Sequence, residues 1–391
     1  MHAAEPGTSR LARTLTGRSE MHRIRTLSPF INDPTKTLEN LDDLRYALDQ
    51  HVEQLTESRA VSESTIVLID LIASTKNDDA NFQLIELLDS ERSELVMACA
   101  DALGKNRAIE ALDNLKRLVE RPEWKTKYGY RFGLVRTLIN LEHPDAYEFL
   151  THIQKSVDGQ LRHELNEAMK KVTLDDFLGD EERYEAWRDE GKQRESMFKS
   201  ASYSESANRI KLQPQQYYGI DINAKRVMFV IDHSGSMKAR TYGGTRLTRA
   251  KQELIKAIKD MPNDHEFAIV FYETNVRKWR EELVYASEEN KMDAVQFVSR
   301  LGYGKSTNTH GALKTAMEFD ESLEAVFLLT DGIPTCGDIV PPQGIINDVV
   351  RRNRLRHLTV NVIGIAVNGP TEKFLSTLSK RCNGQFRKTT E

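Results

Sequence analysis

Residues 228–237 read MFVIDHSGSM, an apolar run that ends at Asp232 and continues into two serines on either side of a glycine. The apolar run predicts a buried strand with Asp232 at its carboxyl end. Ser234 and Ser236 follow at a spacing of two, so a tight turn through Gly235 can direct two hydroxyls and one carboxylate to a common point. Oxygen ligands without imidazole or thiolate predict a hard divalent cation, Mg²⁺ or Mn²⁺.

Three further apolar runs follow in the same part of the chain, and amphipathic segments separate them. They are FAIVFY at 267–272, AVFLLT at 325–330 and VNVIGIAV at 360–367. This alternation predicts a doubly wound α/β fold with a mainly parallel sheet, because strands buried on both faces lose the polar alternation of an exposed sheet. Ligands of such sheets bind beyond the carboxyl ends of the strands, where Asp232 and Asp331 are both expected.

Two further segments add oxygen ligands at the same edge. KSTNTHGAL at 305–313 places a threonine just before a predicted helix, and FLLTDG at 327–332 ends its strand at Asp331. D-x-S-x-S, then a threonine before a G-A-L helix, then T-D-G after an apolar strand resemble the metal-ion-dependent adhesion site of a von Willebrand factor type A domain. The resemblance covers about residues 225–391. It implies that five residues hold the ion, some directly and some through water: Asp232, Ser234, Ser236, Thr307 and Asp331.

The function implied by this resemblance is protein binding. An ion balanced by two carboxylates, with hydroxyls and water in its remaining positions, stays attractive to an incoming Asp or Glu side chain. The expected partner is therefore a protein that presents an acidic side chain, and the resemblance also implies accessory roles beside ATPase or chelatase-type machines. The alternative is an enzyme in which the ion acts as a Lewis acid in hydrolysis or phosphoryl transfer. The sequence identifies no nucleophile or base for such a reaction, so the binding module is favoured.

Competing interpretations of the same motifs are simpler. The serines of the first loop could cap the next helix at an ordinary strand-to-helix turn. GYGKST at 302–307 is similar to the end of a phosphate-binding loop, but G-x-x-x-x-G-K-[ST] requires glycine where the chain has Ser299. His233 and His310 lie inside the motifs and could suggest an acid, a base or a soft-metal ligand, but each is isolated from other candidates for those roles. KARTYGGTR at 238–246 is expected to be a solvated loop beside the site, with a partner groove as the alternative.

The first half of the chain has a different periodicity. From about 38 to 173 apolar residues recur at spacings of three and four, as at Leu44 and Leu48, which predicts helices. AIEAL at 108–112 and AYEFL at 146–150 are similar to each other, and the pattern resembles degenerate HEAT-type repeats stacked into a solenoid. A plain helical bundle is the alternative. The repeats would provide a second surface for protein binding.

The remaining segments are predicted to be tails or connections. Residues 1–37 are rich in arginine and are expected to form a disordered tail. Residues 121–130, RPEWKTKYGY, are expected to be a lengthened loop between repeats. Residues 174–224 are crowded with charge and are expected to be a connector with one helix around Tyr184 and Trp187. The expected organisation is thus a tail, helical repeats over 38–173, the connector, and the α/β domain over 225–391.

Composition excludes several other functions for the 391-residue chain. The net charge is −4, so no basic excess favours nucleic-acid binding. No stretch reaches the roughly 20 apolar residues of a transmembrane helix, and the N-terminus lacks the apolar region of a secretory signal. Cys99, Cys336 and Cys382 are far apart and form no zinc or disulfide spacing. We therefore expect a cytoplasmic location, subject to whether Met1 or Met21 is the start.

Overall fold

The computed structural model describes residues 7–55, 60–173, 215–241 and 243–389. These residues fall into two compact units, a helical unit and a unit that contains the main sheet. The helical unit lies within Met1–Lys125, Tyr130–Gln154 and Ala168–Ser200, and the sheet unit within Thr126–Gly129, Lys155–Glu167 and Ala201–Glu391. An all-α region followed by an α/β region is the predicted fold class, and it is confirmed.

The helices before residue 174 are short, and many begin with a side-chain cap. Ser9 and Ser62 accept the N–H groups of Ala12 at 2.9 Å and Thr65 at 3.2 Å, which satisfies donors that the first turn of a helix leaves without partners. In chain order these helices are α1 (Arg10–Gly17), α2 (Glu20–Leu27), α3 (Pro34–Glu39), α4 (Leu41–Glu53), α5 (Glu63–Ser74), α6 (Asp78–Glu86), α7 (Ser93–Lys105), α8 (Leu112–Arg117), α9 (Pro122–Thr126), α10 (Tyr128–Asn140), α11 (Pro144–Ile153) and α12 (Gly159–Thr173).

The arginine-rich segment at the start of the chain is helical where the structure describes it. Ala12, Leu15 and Leu27 in α1 and α2 are fully buried, whereas Arg10 and Arg13 are exposed. The expectation of a disordered tail over residues 1–37 is therefore wrong for α1 to α3. The expectation fails because Arg10, Arg13 and Arg25 lie on the solvent side of amphipathic helices whose other side is apolar.

Two polar contacts fix these first helices to the helices that follow. The imidazole Nε2 of His51 lies 2.9 Å from the carbonyl oxygen of Leu15. The carboxylate of Glu20 accepts the backbone N–H of Ser64 at 2.6 Å and the Ser64 hydroxyl at 2.9 Å. Since Ser64 lies in the first turn of α5, Glu20 places a negative charge at the positive end of that helix.

Helices of this unit pack on helices one to three places away in the chain, as in the pairs α4 with α5, α5 with α7 and α1 with α4. The predicted helical region is confirmed, and its assignment to HEAT-type repeats stays a prediction. The lengthened loop expected at 121–130 is wrong, because α9 and α10 occupy most of it. Pro122 begins α9, where its fixed φ and missing N–H cost nothing.

The main sheet contains most of the strands of the second unit. Its order is β11-β10-β9-β3-β6-β7, with β8 paired to the other end of β6. The strands are β1 (Gln216–Tyr217), β2 (Ile220–Asp221), β3 (Arg226–Asp232), β4 (Arg240–Thr241), β5 (Gly244–Thr245), β6 (Glu266–Tyr272), β7 (Val276–Lys278), β8 (Val284–Tyr285), β9 (Ala325–Thr330), β10 (Thr359–Ile365) and β11 (Phe386–Thr389).

Parallel pairing joins β3 to β6, β3 to β9, β9 to β10 and β10 to β11, which confirms the predicted mainly parallel sheet. The helices of this unit are α13 (Arg246–Lys259), α14 (Glu288–Ser299), α15 (Thr309–Glu318), α16 (Pro342–Asn353) and α17 (Gly369–Arg381). The side chains of Leu254 and Val298, from α13 and α14, belong to the core that includes Phe229 and Phe327 on one face of the sheet. Helix α15 contacts β3 and β6, and α17 contacts β10.

The sheet unit begins earlier in the chain than the expected boundary at residue 225. Strands β1 and β2 form an antiparallel hairpin, and Tyr217 is fully buried with its ring centroid 5.2 Å from that of Phe229 and 5.9 Å from that of Phe327. The expectation that residues 215–224 are connector is therefore wrong. The rest of the expected connector, including Tyr184 and Trp187, lies outside the described residues.

Two short segments of the expected helical domain also belong to the sheet unit. The Tyr128 N–H donates to the carbonyl oxygen of Glu321 at 2.8 Å, and the Gln160 N–H donates to the carboxylate of Glu324 at 2.8 Å. Glu324 is 1% exposed and also pairs with Arg226 at 2.9 Å. Residues 38–173 are therefore not one continuous helical domain, because a buried carboxylate at the amino edge of the sheet takes a donor from the first turn of α12.

None of the helices in the described ranges combines the length and the apolar character needed to cross a membrane.

The three cysteines are thiols without a disulfide bond: Cys99 and Cys382 are buried, and Cys336 is partly exposed.

Candidate metal centre

The ends of two neighbouring parallel strands place the first two candidate carboxylates. Strand β3 ends at Asp232, and β9 ends at Thr330, directly before Asp331. The register pairs Ile231 with Leu329, so the next residues of both strands lie side by side at the carboxyl edge of the sheet. This is the edge at which open α/β sheets bind ligands.

Asp232 is fully buried and accepts one hydrogen bond from the loop that follows it and one from the last residue of β9. Its Oδ1 accepts the Ser234 N–H at 2.8 Å, and its Oδ2 accepts the Thr330 hydroxyl at 2.7 Å. Burial raises the pKa of Asp232 to about 6, although these hydrogen bonds act to lower it, and the charge of Asp331 adds to the increase. Among the described residues, Asp232 forms no ion pair with a Lys, Arg or His side chain. A cation beside it would therefore favour the ionised form.

A continuous line of hydrogen bonds joins the two serines to the second carboxylate. The hydroxyls of Ser234 and Ser236 lie 3.1 Å apart, and the Ser236 hydroxyl donates to Asp331 Oδ1 at 2.6 Å. Ser234 is buried and Ser236 is exposed, so the line reaches the surface at Ser236 and returns to the buried side chain of Asp331. The structure thus brings together four of the five predicted site residues through direct hydrogen bonds.

Thr307 is the fifth predicted residue. It lies on a loop that contacts the Asp232 loop, the segment that carries Ser234 and Ser236. Its N–H donates to the Thr335 hydroxyl at 2.8 Å, and its carbonyl accepts the Thr335 N–H at 2.9 Å. The side chain is buried, and among the described residues its hydroxyl forms no hydrogen bond to Asp232, Ser234, Ser236 or Asp331. The structure therefore places Thr307 beside the site without joining it to the other four.

Backbone contacts hold the Thr307 loop against the Asp232 loop. The Gly235 N–H donates to the Lys305 carbonyl at 3.1 Å, and the Gly304 N–H donates to the His233 carbonyl at 2.7 Å. A Cβ atom at Gly304 would lie 2.3 Å from the Cβ of Glu273, so this close approach requires glycine. Glu273 follows β6 and also accepts the Lys305 N–H at 3.3 Å.

Arg246 is a charged residue of the site that sequence reasoning did not identify. Its Nη1 lies 3.0 Å from Asp331 Oδ2, and the Asp331 side chain is fully buried. Within the segment expected to be a solvated loop, β4 and β5 form a short antiparallel hairpin, and Arg246 then begins α13. The available signal was an arginine in the first turn of a helix, where the helix dipole disfavours positive charge.

The two histidines inside the motifs have partners of their own. His233 Nδ1 lies 2.9 Å from the Gly302 carbonyl oxygen, and His310 Nε2 lies 3.0 Å from Asp348 Oδ2. The GYGKST segment follows helix α14 rather than a strand, unlike a phosphate-binding loop. The contacts of the two histidines therefore do not support a nitrogen ligand for the ion, and the position of the GYGKST segment does not support a phosphate-binding loop.

The donor chemistry of the four joined residues fits a hard divalent ion. Two carboxylates and two hydroxyls supply only oxygen atoms, the ligands that Mg²⁺ and Mn²⁺ prefer. Within the described part of the chain, no three His, Cys, Asp or Glu side chains are grouped so that they could hold a metal ion. A site for a softer metal, such as a His and Cys zinc site, is therefore not built from these residues.

Comparison with known proteins relates this unit to one domain family. Residues 225–387 match the model of the von Willebrand factor type A domain. Similar proteins include inter-alpha-trypsin inhibitor heavy chain H1 of Homo sapiens, 33% identical over 178 residues, which are 43% of this chain and 19% of that protein. Von Willebrand factor A domain-containing protein 3B of Homo sapiens is 30% identical over 162 residues, 41% of this chain and 11% of that protein. The chain therefore aligns with less than one fifth of the length of either relative.

Solved structures similar to the chain include a von Willebrand factor type A protein from Catenulispora acidiphila. It has 21% sequence identity and a TM-score of 0.36, and the match covers 42% of this chain and 38% of that one. The carboxyl-terminal part of the chain, residues 225–387, is a von Willebrand factor type A domain.

Proposed function

We propose that this domain binds Mg²⁺ or Mn²⁺ through Asp232, Ser234, Ser236, Thr307 and Asp331, and that the bound ion captures an Asp or Glu side chain of a protein partner. The observation that supports the proposal most directly is the line of hydrogen bonds from Asp232 and Ser234 through Ser236 to Asp331. These residues come from two segments that are far apart in sequence, residues 232–236 and residue 331.

The chain's own residues prepare this site in three ways. Thr330 and the Ser234 N–H fix both oxygens of Asp232, so the carboxylate is ordered before any ligand arrives. The Ser236 hydroxyl fixes Asp331 Oδ1. The exposed position of Ser236 leaves the middle of the line accessible to a partner. When bound, the ion supplies the electrophilic position that a partner's carboxylate can occupy.

Binding suits this site better than turnover. His233 and His310, the nearest candidate bases in sequence, contact the Gly302 carbonyl and Asp348 respectively. A general base must lie within hydrogen-bond reach of the proton that it removes. The function is therefore that of an adaptor, in which the helical unit provides a second protein-binding surface.

An affinity capture experiment tests the proposal. The full chain, Asp232→Asn and Glu289→Gln are immobilised and exposed to cell extract, each with MgCl₂ and with EDTA. Glu289 is an exposed carboxylate in the first turn of α14, so its variant controls for the loss of one negative charge in the same domain. We expect the native chain and Glu289→Gln to retain the same partner only with MgCl₂, and Asp232→Asn to retain none.

Circular dichroism accompanies the capture experiment, to show that Asp232→Asn is folded. Capture of the same proteins by all three chains in EDTA would show that the ion is not the recognition element. If capture depends on MgCl₂ and on Asp232, a mass-spectrometric search for a partner carboxylate that is protected from chemical modification in the complex identifies the ligand group.

A further inference from the structure

Asp331 is held from both sides by the chain itself. The Ser236 hydroxyl donates to Oδ1 at 2.6 Å, and the Arg246 guanidinium Nη1 donates to Oδ2 at 3.0 Å. The Asp331 side chain is fully buried, and that of Arg246 is 16% exposed. A cation of the protein therefore already lies beside one of the two carboxylates proposed to hold the divalent ion.

The position of this arginine is not explained by the helix to which it belongs. Arg246 is the first residue of α13, after the cap Thr245, and the first turn of α13 contains no acidic residue. A positive charge at a helix N-terminus opposes the helix dipole. The preference of the helix is thus overridden by the contact with Asp331, and such departures from local preference occur at functional sites.

Formal charges show what a second cation does to the proposed site. Asp232 and Asp331 contribute −2 and a divalent ion +2, so without Arg246 the loaded site is neutral. Arg246 makes it +1, which a single carboxylate from a partner restores to zero. A guanidinium also presents paired N–H donors in the geometry that a carboxylate accepts.

We infer that Arg246 is a recognition residue: it holds Asp331 while the site lacks a divalent ion, and it pairs with the partner's carboxylate once the ion is bound. This inference rests on the proposed function and adds a second contact to it. Arg246 opposes the binding of the divalent ion by charge repulsion and favours the binding of the acidic ligand. A purely structural ion pair has the opposite signature, because its loss would loosen the site and weaken the binding of the ion.

Titration with Mn²⁺ alone separates these two roles. The native chain, Arg246→Gln and Lys259→Gln are titrated with MnCl₂ by calorimetry and electron paramagnetic resonance. Lys259 is the exposed last residue of α13, so its variant removes one positive charge far along the same helix. We expect Arg246→Gln to bind Mn²⁺ roughly tenfold more tightly than the native chain, since one repelling charge is removed, and Lys259→Gln to match the native chain.

Acetate is the probe for the carboxylate contact. Its binding to each Mn²⁺-loaded chain is followed by the relaxation of water protons, which changes when a bound water is displaced. We expect acetate affinity to fall by roughly five- to tenfold in Arg246→Gln, because a charge-assisted pair is lost. In Arg246→Lys, which keeps the charge but loses the planar fork, Mn²⁺ affinity should stay within about threefold of native while acetate binds more weakly.

The possible outcomes are distinct. Equal or weaker Mn²⁺ binding by a folded Arg246→Gln overturns the role of Arg246 and leaves the metal proposal standing. Native acetate affinity in Arg246→Lys overturns it equally, even if Arg246→Gln fails to fold. If no chain, including the native one, binds Mn²⁺ at millimolar concentration, both the inference and the proposed function fall. Binding by Arg246→Gln but not by the native chain supports the repulsion directly.

Discussion

The Thr330 hydroxyl donates a hydrogen bond of 2.7 Å to Asp232 Oδ2, which joins the last residue of β9 to the last residue of β3. Both residues are fully buried. This hydrogen bond links β3 and β9 at the point where both strands leave the sheet. The orientation of the Asp232 carboxylate therefore depends on Thr330, which is not itself a candidate ligand.

Thr330→Val should separate this orienting role from the fold. Valine has nearly the same shape, so the main loss is the donor to a buried carboxylate, about 1 to 3 kcal/mol of unfolding free energy in denaturant titrations. Affinity for Mn²⁺ should fall about tenfold or more. Thr377→Val, which removes an exposed hydroxyl bonded to the Lys373 carbonyl in α17, is the matched control and should change neither quantity by much. Native Mn²⁺ affinity in Thr330→Val would show that Thr330 does not position Asp232.

Addition of Mg²⁺ should raise the thermal stability of the sheet unit. A ligand that binds the folded state at a hundredfold excess over its dissociation constant adds about 2.7 kcal/mol, which corresponds to roughly 5 to 10 °C for a unit of this size. Differential scanning calorimetry in MgCl₂ and in EDTA measures the shift. Asp232→Asn should show none. An equal shift in both chains would indicate that the ion acts elsewhere.

Glu20→Gln should destabilise the helical unit in a pH-dependent manner. Burial acts to raise the pKa of Glu20, but hydrogen bonds from Ser64 and Arg23 outweigh it, so the pKa lies below its usual value. A carboxyl with a lowered folded-state pKa contributes stability above the unfolded-state pKa, and this is lost as pH falls through the folded-state value.

The native chain should accordingly exceed Glu20→Gln by about 1 kcal/mol at pH 7, a value reduced by the partial exposure of Glu20. The difference should shrink below about pH 4, where Glu20 begins to take up its proton. Urea titrations at several pH values measure it, with the exposed Glu39→Gln as control. A difference that is constant down to pH 2 would contradict the role of the charge.

Leu15→Ala tests whether the first helix is part of the folded unit. Leu15 is fully buried in α1, so removal of its side chain should cost about 3 kcal/mol. Leu38→Ala in α3, where the side chain is 52% exposed, should cost less than about 0.5 kcal/mol. Equal stability of the two variants in denaturant titrations would restore the interpretation of this segment as a tail.

The sequence was sufficient to predict the sheet and the position of the main site residues. Long apolar runs predict strands buried on both faces, and the carboxyl ends of parallel strands meet at one edge, so Asp232 and Asp331 were expected together. The structure brings them there with Ser234 and Ser236. Whether these residues and Thr307 bind a metal ion stays a prediction.

The features that sequence reasoning missed depend on contacts between distant segments. Arg246 and Asp331 meet only because α13 begins beside the end of β9, and no periodicity within either segment encodes that. At the N-terminus, amino-acid composition gave a wrong prediction. The arginines of α1 and α2 make the segment rich in charge, but the buried side chains of Leu15 and Leu27 determine how it packs. Tertiary context decided both cases.

The β1–β2 hairpin has a practical consequence for anyone who wishes to isolate the sheet unit. Because the Tyr217 ring packs against both Phe229 and Phe327, a fragment cut at the family boundary near residue 225 would remove part of the apolar cover of these two rings. Such a fragment is expected to aggregate on purification more readily than one that starts before residue 215, which keeps Tyr217 packed on both rings.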